Sequence, residues 1–252
     1  MEFDQNLYDR AVEYGNRLGL NCFPITQDTV GEARYHLYVI TVNDKKEIIP
    51  AYKHIFGEAP WIPSGNLEDL QAKATEEREK GYHTYIAAEL GNSGGYISKS
   101  ILEDTVLSLS TIFHEGFHRR ERGYPLNKWF EESAANVIGY QAALSFSKHE
   151  KKYELTEKVK QGISRREEFV IEYQKKLAQR FNDIRDGKEI SPDQEFNNAQ
   201  LYALYPYNGN YFTIKRAFEK VRSFRGFVEL MSGLPKKFED AQKILIEIAK
   251  NP

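Results

Sequence analysis

Apolar side chains in the N-terminal part of the chain follow two different spacings. Some recur three and four positions apart, as on one face of a helix, and others crowd into short runs of β-branched and aromatic residues bounded by turn signals. The predicted helices cover 4–19 and 66–81, and the predicted strands cover 34–42, 47–49 and 82–88. The proline-bearing stretch 50–65 is predicted to be a loop, and the glycine-rich stretch 91–95 follows the last strand.

From residue 100 onward the spacing of apolar residues is helical almost throughout. A serine followed three positions later by a glutamate forms a capping box, which predicts helix starts at Ser100 and Ser164. The predicted helices run from Ser100 to near 123–125, from Asn127 onward, from Ser164 to Gly187, and over 196–205, 211–223 and 236–249.

These elements predict an α+β fold, with a small strand-bearing part over 1–99 and a mainly helical part over 100–252. A chain of 252 residues and 29.2 kDa is long enough to bury a core and to form a cleft. We therefore expect one domain over 1–252.

Composition narrows the class of protein. The net charge of -2 means that the chain lacks the broad basic field with which proteins hold nucleic acid. It also contains no apolar run close to the roughly 20 residues that span a bilayer. Residues 1–6 lack the pattern of a secretion signal, and Cys22 alone cannot form a disulfide framework. We therefore expect a cytoplasmic protein that does not bind nucleic acid and does not span a membrane.

The sharpest chemical signal is the sequence His-Glu-Gly-Phe-His at 114–118. On a helix, His114 and His118 lie one turn apart on one face, so both imidazoles can bind the same metal ion. Glu115 lies at the edge of that face, where a carboxylate can accept a proton from a metal-bound water. Zinc suits two imidazoles, a carboxylate and an open fourth position. The sequence thus predicts one zinc ion per chain, with Glu115 as the catalytic base.

The third zinc ligand is predicted to be a carboxylate at the start of the following helix. Glu131 and Glu132 both qualify by type, and the turn near 123–125 folds this helix back across the first. Carboxylates are also favoured in the first turn of any helix by the helix dipole, which explains one of the two without a function. Small residues further along allow the two helices to approach closely: Ala134, Ala135 and Gly139.

This pattern resembles the gluzincin metallopeptidases, in which His-Glu-x-x-His is followed by Glu-x-x-Ala on the next helix. Over about 60–215 the chain is similar to a bacterial family of proposed zinc-dependent aminopeptidases. The matching segments are Gly81-Tyr82-His83-Thr84-Tyr85, Gly95-Tyr96, 111–118, Phe130-Glu131-Glu132-Ser133-Ala134-Ala135, Asn197-Asn198-Ala199-Gln200-Leu201 and Tyr207. The resemblance implies a zinc-binding helix within a peptidase fold.

The resemblance also implies roles for residues next to the predicted metal. It aligns Glu132 with the metal-binding glutamate of the family. It places Glu131 where the family has asparagine, so that Glu131 can bind the amino group of a substrate or raise neighbouring pKa values. It places Asn136 where a polar side chain orients a ligand histidine, and a solvated or capping asparagine fits that position equally.

Further from the metal, the resemblance implies contacts with the substrate. It aligns Tyr207 with a tyrosine that stabilises the oxyanion, with Tyr205 and Tyr211 as alternatives, and ordinary core packing explains each tyrosine equally. Gluzincins pair the strand before the zinc helix with an extended peptide, which implies that Asn92 and Gly94 bind substrate. A plain hairpin turn fits the same glycines.

The sequence and the resemblance together predict an enzyme, a zinc-dependent peptide hydrolase of aminopeptidase type acting on peptides or proteins. The Gly-x-Met-Glu-Asn motif of the large aminopeptidases is absent, so exopeptidase and endopeptidase action both stay open. The alternative is a helical interaction protein with a structural or vestigial metal site, self-associating through 150–186. That segment carries a heptad-like seam, which packing onto its own domain also explains. The seam consists of Val170, Tyr173, Leu177 and Ile184.

Overall fold

The computed structural model describes residues 4–43, 45–51, 61–64, 66–92, 95–121 and 130–250. The described helices are α1 Gln5–Arg17, α2 Leu67–Glu79, α3 Thr105–Glu121, α4 Glu131–His149, α5 Tyr153–Arg185, α6 Asn198–Asn208, α7 Tyr211–Val221, α8 Phe224–Ser232 and α9 Phe238–Lys250. The described strands are β1 Val30–Gly31, β2 Arg34–Val42, β3 Ile48–Pro50, β4 Trp61–Ser64, β5 His83–Glu89, β6 Gly91–Asn92 and β7 Tyr96–Ser98. This is the predicted α+β fold, with short strands towards the N-terminus and a mainly helical remainder.

The chain forms two compact units, each assembled from separate segments. The first unit contains Met1–Glu32, Leu90–Glu167 and Pro206–Pro252, and the second contains Ala33–Glu89 and Glu168–Tyr205. The prediction of a single domain over 1–252 stays a prediction.

In the second unit, β2 is the central strand of a four-stranded sheet. It pairs antiparallel with β5 along one edge, and with β3 and β4 along the other. Helix α2 covers this sheet, with Leu70 and Ala74 buried against Leu37 and Val39. The helix begins where Asn66 accepts a hydrogen bond from the Glu68 amide, at the predicted cap.

The predicted loop over 50–65 is wrong at both ends, because β3 includes Pro50 and β4 occupies Trp61–Ser64. Proline cannot donate to a sheet, yet Pro63 is tolerated here because β4 pairs with β2 on one side and is an edge strand. Residues 52–60 of the predicted loop lie outside the described residues.

The second unit has a further cluster of buried residues around Tyr173 of α5. Tyr173 packs with Phe196 and Leu201, and its hydroxyl donates to the Leu201 carbonyl at 2.6 Å. This part of the heptad-like seam is therefore covered by the chain itself. Self-association through 150–186 stays a prediction.

Two predicted helix starts are wrong. Helix α5 runs without interruption through Ser164, so the capping box predicted there lies inside a helix that began at Tyr153. Helix α3 starts after Asp104, whose carboxylate accepts hydrogen bonds from the amides of Val106 and Leu107 at 2.9 and 3.0 Å. The residues that follow Ser98 form a 3₁₀ turn instead.

Other elements could not be anticipated from the sequence pattern, or lie outside the described residues. Strands β1, β7 and β6 form a small sheet in the first unit, and they are too short to show a period. Helix α8 was not predicted, while α6, α7 and α9 lie within a few residues of their predicted positions. The helix end near 123–125 and the start at Asn127 lie outside the described residues.

His83 at the start of β5 is buried in the second unit, with its Nδ1 accepting a hydrogen bond from the Asn198 amide at 3.4 Å. Burial lowers the pKa of His83 to about 4, and the neighbouring Arg180 guanidinium acts in the same direction. The native state therefore keeps this imidazole neutral where the unfolded chain is already protonated.

We predict that the free energy of unfolding falls as the pH is lowered from about 6.5 to about 4, by up to about 3 kcal/mol. The sign follows because the unfolded chain binds more protons than the native state in this window. His83→Asn keeps an acceptor near Nδ1 and should flatten the slope, whereas the same change at exposed His149 should not. Urea unfolding across this pH range measures the slope, and an unchanged slope in His83→Asn contradicts the assignment.

Candidate metal centre

Helices α3 and α4 approach each other closely at Gly139. A Cβ atom at this position would lie 2.5 Å from the Ser110 carbonyl oxygen and 3.3 Å from the His114 Cβ. Ala134 and Ala135 are fully buried on the same helix. The predicted close approach through small residues is confirmed, and it brings the first turn of α4 to the histidines of α3.

The side chains of His114, His118 and Glu132 converge in the first unit. The two Nε2 atoms lie 3.1 Å apart, and Glu132 Oε2 lies 3.2 Å from His114 Nε2 and 3.4 Å from His118 Nε2. Among the described residues, this is the group of histidine, cysteine and acidic side chains that could hold a metal ion. Three potential ligand atoms thus face one point.

The spacing of these atoms fits a tetrahedral metal site. Ligands about 2.0–2.1 Å from a zinc ion and about 109° apart are separated from one another by about 3.3–3.4 Å. The observed separations of 3.1, 3.2 and 3.4 Å lie within a few tenths of an ångström of that edge. Two imidazoles with one carboxylate suit a transition metal and do not suit calcium or magnesium, which prefer oxygen ligands.

The charges of the group favour a cation. Burial by itself would lower the pKa of His118, but the carboxylates of Glu131 and Glu132 raise it well above its usual value. Burial would raise the pKa of Glu132, and contact with His114 and His118 holds it well below its usual range. These carboxylates thus favour the protonated form of His118, and a metal ion that binds here competes with a proton.

Glu131 lies on the other side of His118 from the converging atoms. Its Oε1 is 3.0 Å from His118 Nδ1, the nitrogen that does not face Glu132. A carboxylate at this position fixes the tautomer and the ring orientation of a ligand histidine. The structure thus separates the two glutamates that the sequence left open as ligands. Contact of Glu131 with a substrate stays a prediction.

Glu115 is buried beside the converging atoms, with its Oε1 3.8 Å from His114 Nε2. Strand β6 lies directly against it, since a Cβ on Gly91 would be 3.5 Å from Glu115 Cγ and 2.9 Å from Thr111 Cγ2. Gly91 therefore needs to be glycine, a role that sequence analysis did not assign. The glycine-rich composition of the segment was the available signal.

The predicted substrate residues Asn92 and Gly94 follow Gly91. Asn92 pairs with Tyr96 in the hairpin formed by β6 and β7, and Gly94 lies outside the described residues. Substrate binding by either residue stays a prediction.

Asn136 and Tyr207 were predicted to act around the metal. Asn136 lies one turn after Glu132 and is half-buried, and its Nδ2 has no hydrogen-bond partner among the described residues. Tyr207 follows Pro206, whose carbonyl accepts a hydrogen bond from Ser133 Oγ at 2.7 Å. This bond ties the end of α6 to the first turn of α4. The roles of Asn136 and Tyr207 in chemistry stay predictions.

The two alternative tyrosines lie in different environments. Tyr211 is fully buried in the first unit, where it packs on Phe212, while Tyr205 belongs to the second unit. A hydroxyl that polarises a substrate carbonyl must reach the open position of the site. Tyr207 is half-buried in the first unit, and the choice among the three tyrosines stays a prediction.

Cys22 occupies the opposite side of α3 from the metal-facing atoms. A Cβ on Gly116, within the His-Glu-Gly-Phe-His motif, would lie 2.5 Å from Cys22 Sγ, and a Cβ on Gly15 of α1 would lie equally close. Burial raises the pKa of the Cys22 thiol to about 12, although nearby Arg119 acts in the other direction. Gly116 thus allows Cys22 to pack directly against the metal-binding helix.

Comparison with models of protein families, with curated proteins and with solved structures finds no match for this chain. The resemblance to gluzincins therefore rests on the sequence motifs alone. Within the described residues, no helix combines the length and the apolar character needed to cross a bilayer.

We predict that the wild-type protein binds one zinc ion per chain and that Glu132→Ala abolishes this binding, because it removes a ligand. Glu131→Ala should keep the stoichiometry and weaken affinity by about 10–100-fold, since it removes only the partner of His118 Nδ1. Elemental analysis and competition with a chromogenic chelator measure both. Exposed Glu154 supplies the matched control, Glu154→Ala. Loss of zinc in Glu131→Ala with retention in Glu132→Ala would reverse the assignment.

Gly139→Ala should reduce the free energy of unfolding by about 1–3 kcal/mol and weaken zinc binding, because the new methyl group collides with the Ser110 carbonyl. Thermal unfolding and zinc titration measure the two effects. Gly233→Ala is the control, since its Cβ would meet the Glu229 carbonyl oxygen at an ordinary 3.4 Å. Equal stability of the two variants would show that α3 and α4 do not depend on this contact.

Proposed function

We propose that this protein is a zinc-dependent peptide hydrolase. The observation that carries the proposal is the position of Glu115, a buried carboxylate 3.8 Å from the Nε2 of His114 at the edge of a three-ligand group. A purely structural metal site is closed by four protein ligands, whereas a hydrolytic site keeps one position open and has a base beside it. His114, His118 and Glu132 supply three ligands, as in a hydrolytic site with one open position.

These three residues would hold the ion through the two Nε2 atoms and Glu132 Oε2. A zinc ion bound in this way supplies a water with a pKa near about 7 and polarises the substrate carbonyl. The protein residues then move the protons. Glu115 accepts the proton of the attacking water and later donates it to the nitrogen of the leaving amine. Because Glu115 is buried next to the Gly91 backbone, its carboxylate stays in one position between the two proton transfers.

Two further side chains support this chemistry. Glu131 accepts a hydrogen bond from His118 Nδ1–H, so that Nε2 presents its lone pair to the ion. Tyr207 donates its hydroxyl proton in a hydrogen bond to the oxyanion that develops on the substrate carbonyl. Anchoring of the adjacent Pro206 to Ser133 supports this role, because it ties the tyrosine's segment to the helix turn that carries Glu132.

We further propose that the enzyme is of aminopeptidase type. The carboxylates of Glu115, Glu131 and Glu132 each lie within 3.8 Å of a ring nitrogen of one of the two histidines, and Glu131 is about one-third exposed. A negative rim of this kind attracts the ammonium group of a peptide N-terminus. The amino group of the substrate then lies near Glu131, and the first peptide bond lies beside Glu115.

Glu115→Gln should bind zinc with unchanged stoichiometry and lose at least about a thousandfold in kcat, because the amide cannot accept the proton of the attacking water. Hydrolysis of unblocked alanine peptides, followed by mass spectrometry, measures the loss. Glu154→Ala again serves as the control, since Glu154 is exposed on α5. Full activity of zinc-loaded Glu115→Gln would exclude Glu115 as the base, and no activity in the zinc-loaded wild type would contradict the proposed function.

A further inference from the structure

A cluster of hydrogen-bond donors lies beyond the metal centre in the first unit, around Arg166 of α5. The Arg166 guanidinium donates from Nη2 to the Tyr207 carbonyl at 3.2 Å, and its Cζ lies 5.7 Å from the centre of the Tyr211 ring. Burial lowers the pKa of Arg166, and the hydroxyls of Tyr140, Tyr211 and Tyr207 are the groups that act on it electrostatically. An arginine stays charged in such surroundings. The cluster is therefore a half-buried positive charge among tyrosine hydroxyls.

Two helices fix the distance of this cluster from the metal centre. The Tyr140 hydroxyl is hydrogen-bonded to Ser110, which lies one turn before His114 on α3. On α4, Tyr140 follows Glu132 by two turns, a rise of about 12 Å. The Tyr140 end of the cluster is therefore about 6 Å from His114 along α3 and about 12 Å from Glu132 along α4. An extended peptide covers these distances with two or three residues.

A partly exposed row of side chains connects the two places. Glu132, Asn136 and Tyr140 recur every four residues on one face of α4, and all three are half-buried, while their neighbours Ala135 and Gly139 are buried. The Nδ2 group of Asn136, midway along this row, has no acceptor among the described residues. The row thus offers donors to a ligand that extends from the metal centre towards Arg166.

The carboxylates near this cluster already have other partners. The Asp104 carboxylate accepts hydrogen bonds from the amides of Val106 and Leu107 at the start of α3, and Glu167 forms an ion pair with Lys215. Each also contributes to raising the pKa of one tyrosine of the cluster, Asp104 that of Tyr140 and Glu167 that of Tyr211. Guanidinium, phenol and amide donors together match a ligand that is rich in acceptors and negatively charged.

We propose that Arg166, with Tyr140 and Asn136, binds a carboxylate of the peptide substrate two or three residues beyond the bond that is hydrolysed. This inference rests on the proposed function, and it adds the substrate class: short peptides that carry a negative charge at that distance. The carboxylate comes either from the C-terminus of a tri- or tetrapeptide or from an acidic side chain of a longer peptide. Both sources present the same group to the guanidinium.

The test measures binding without hydrolysis. Zinc-loaded Glu115→Gln protein is titrated calorimetrically with unblocked alanine peptides of two to six residues, each as the free acid and as the C-terminal amide. We expect the tri- or tetrapeptide acid to bind at least about tenfold more tightly than its amide, with a smaller difference at other lengths. Amides with glutamate at position three or four test the second source. If these glutamate-containing amides bind about tenfold more tightly than the alanine amides, a side-chain carboxylate is a ligand of the site.

Variants of adjacent arginines assign the effect. Adding Arg166→Gln should reduce the acid-to-amide ratio from about tenfold to below about twofold. Arg165→Gln removes an equal charge from an exposed neighbour that acts on Tyr140 more weakly, so it should lower the ratio by less than about twofold. Zinc content and thermal unfolding establish that both variants are folded. If Arg166→Gln does not fold, Tyr140→Phe replaces it, with an expected reduction of about threefold in the ratio.

Three results would overturn the proposal: equal binding of acids and amides at every length, no binding of any peptide, or an unchanged ratio in both Arg166→Gln and Tyr140→Phe. These outcomes are separate from a failure of the proposed function. Carboxylate-selective binding by the Glu115→Gln protein, together with no hydrolysis by the wild type, would retain the binding site and remove the enzyme.

Discussion

The contact between α3 and α4 at Gly139 determines the geometry on which the metal centre depends. Three ligand atoms from two helices must meet within a few tenths of an ångström, and side chains alone cannot correct a displaced backbone. The Ser110 carbonyl oxygen would lie 2.5 Å from a Cβ at position 139, so the two helices can approach this closely only because residue 139 is glycine. The bond from Ser133 to the Pro206 carbonyl then fixes the end of α4 that carries Glu132. The geometry of the three potential ligand atoms thus depends on close packing of α3 and α4, at a contact that includes the backbone of Ser110 and the Cβ of His114.

Within the first unit, the candidate metal centre and the Arg166 cluster form two poles of opposite charge. Three carboxylates surround the histidines at one pole, and Arg166 with its tyrosines forms the other. Half-buried side chains of α4 connect the poles over about two helix turns. A short peptide with a free amino group and a free carboxylate has the complementary arrangement. Under the proposed function, the spacing of the poles would select the length of the peptide, and the metal centre would select the bond that is hydrolysed.

The sequence predicted those parts of the site that depend on helical spacing alone. His114, Glu115 and His118 could be placed because four residues make about one turn, whereas Glu131 and Glu132 could not be separated without the crossing of α4 over α3. Arg166 carried no signal, since its partners come from α4, α6 and α7. A local pattern cannot report contacts between residues that are distant in sequence.

The fold shows the same division. Strand β2 and helix α2 were predictable because each carries its own period and its own turn residues. Strands β1, β6 and β7 have two or three residues and exist through pairing with each other. The false start at Ser164 had an apparent cap, but burial of the α5 residues on either side of it keeps the helix continuous.

The thiol of Cys22 is a natural chemical probe of the packing of α3, the helix that carries both histidines. Its sulfur occupies the space left by Gly15 and Gly116, and the form of a thiol that reacts with alkylating reagents is the thiolate. With its pKa raised to about 12, the buried thiol is protonated and shielded as long as α3 stays against α1. The rate of alkylation of this one cysteine therefore measures how often the helix that carries both histidines separates from α1, without an engineered cysteine.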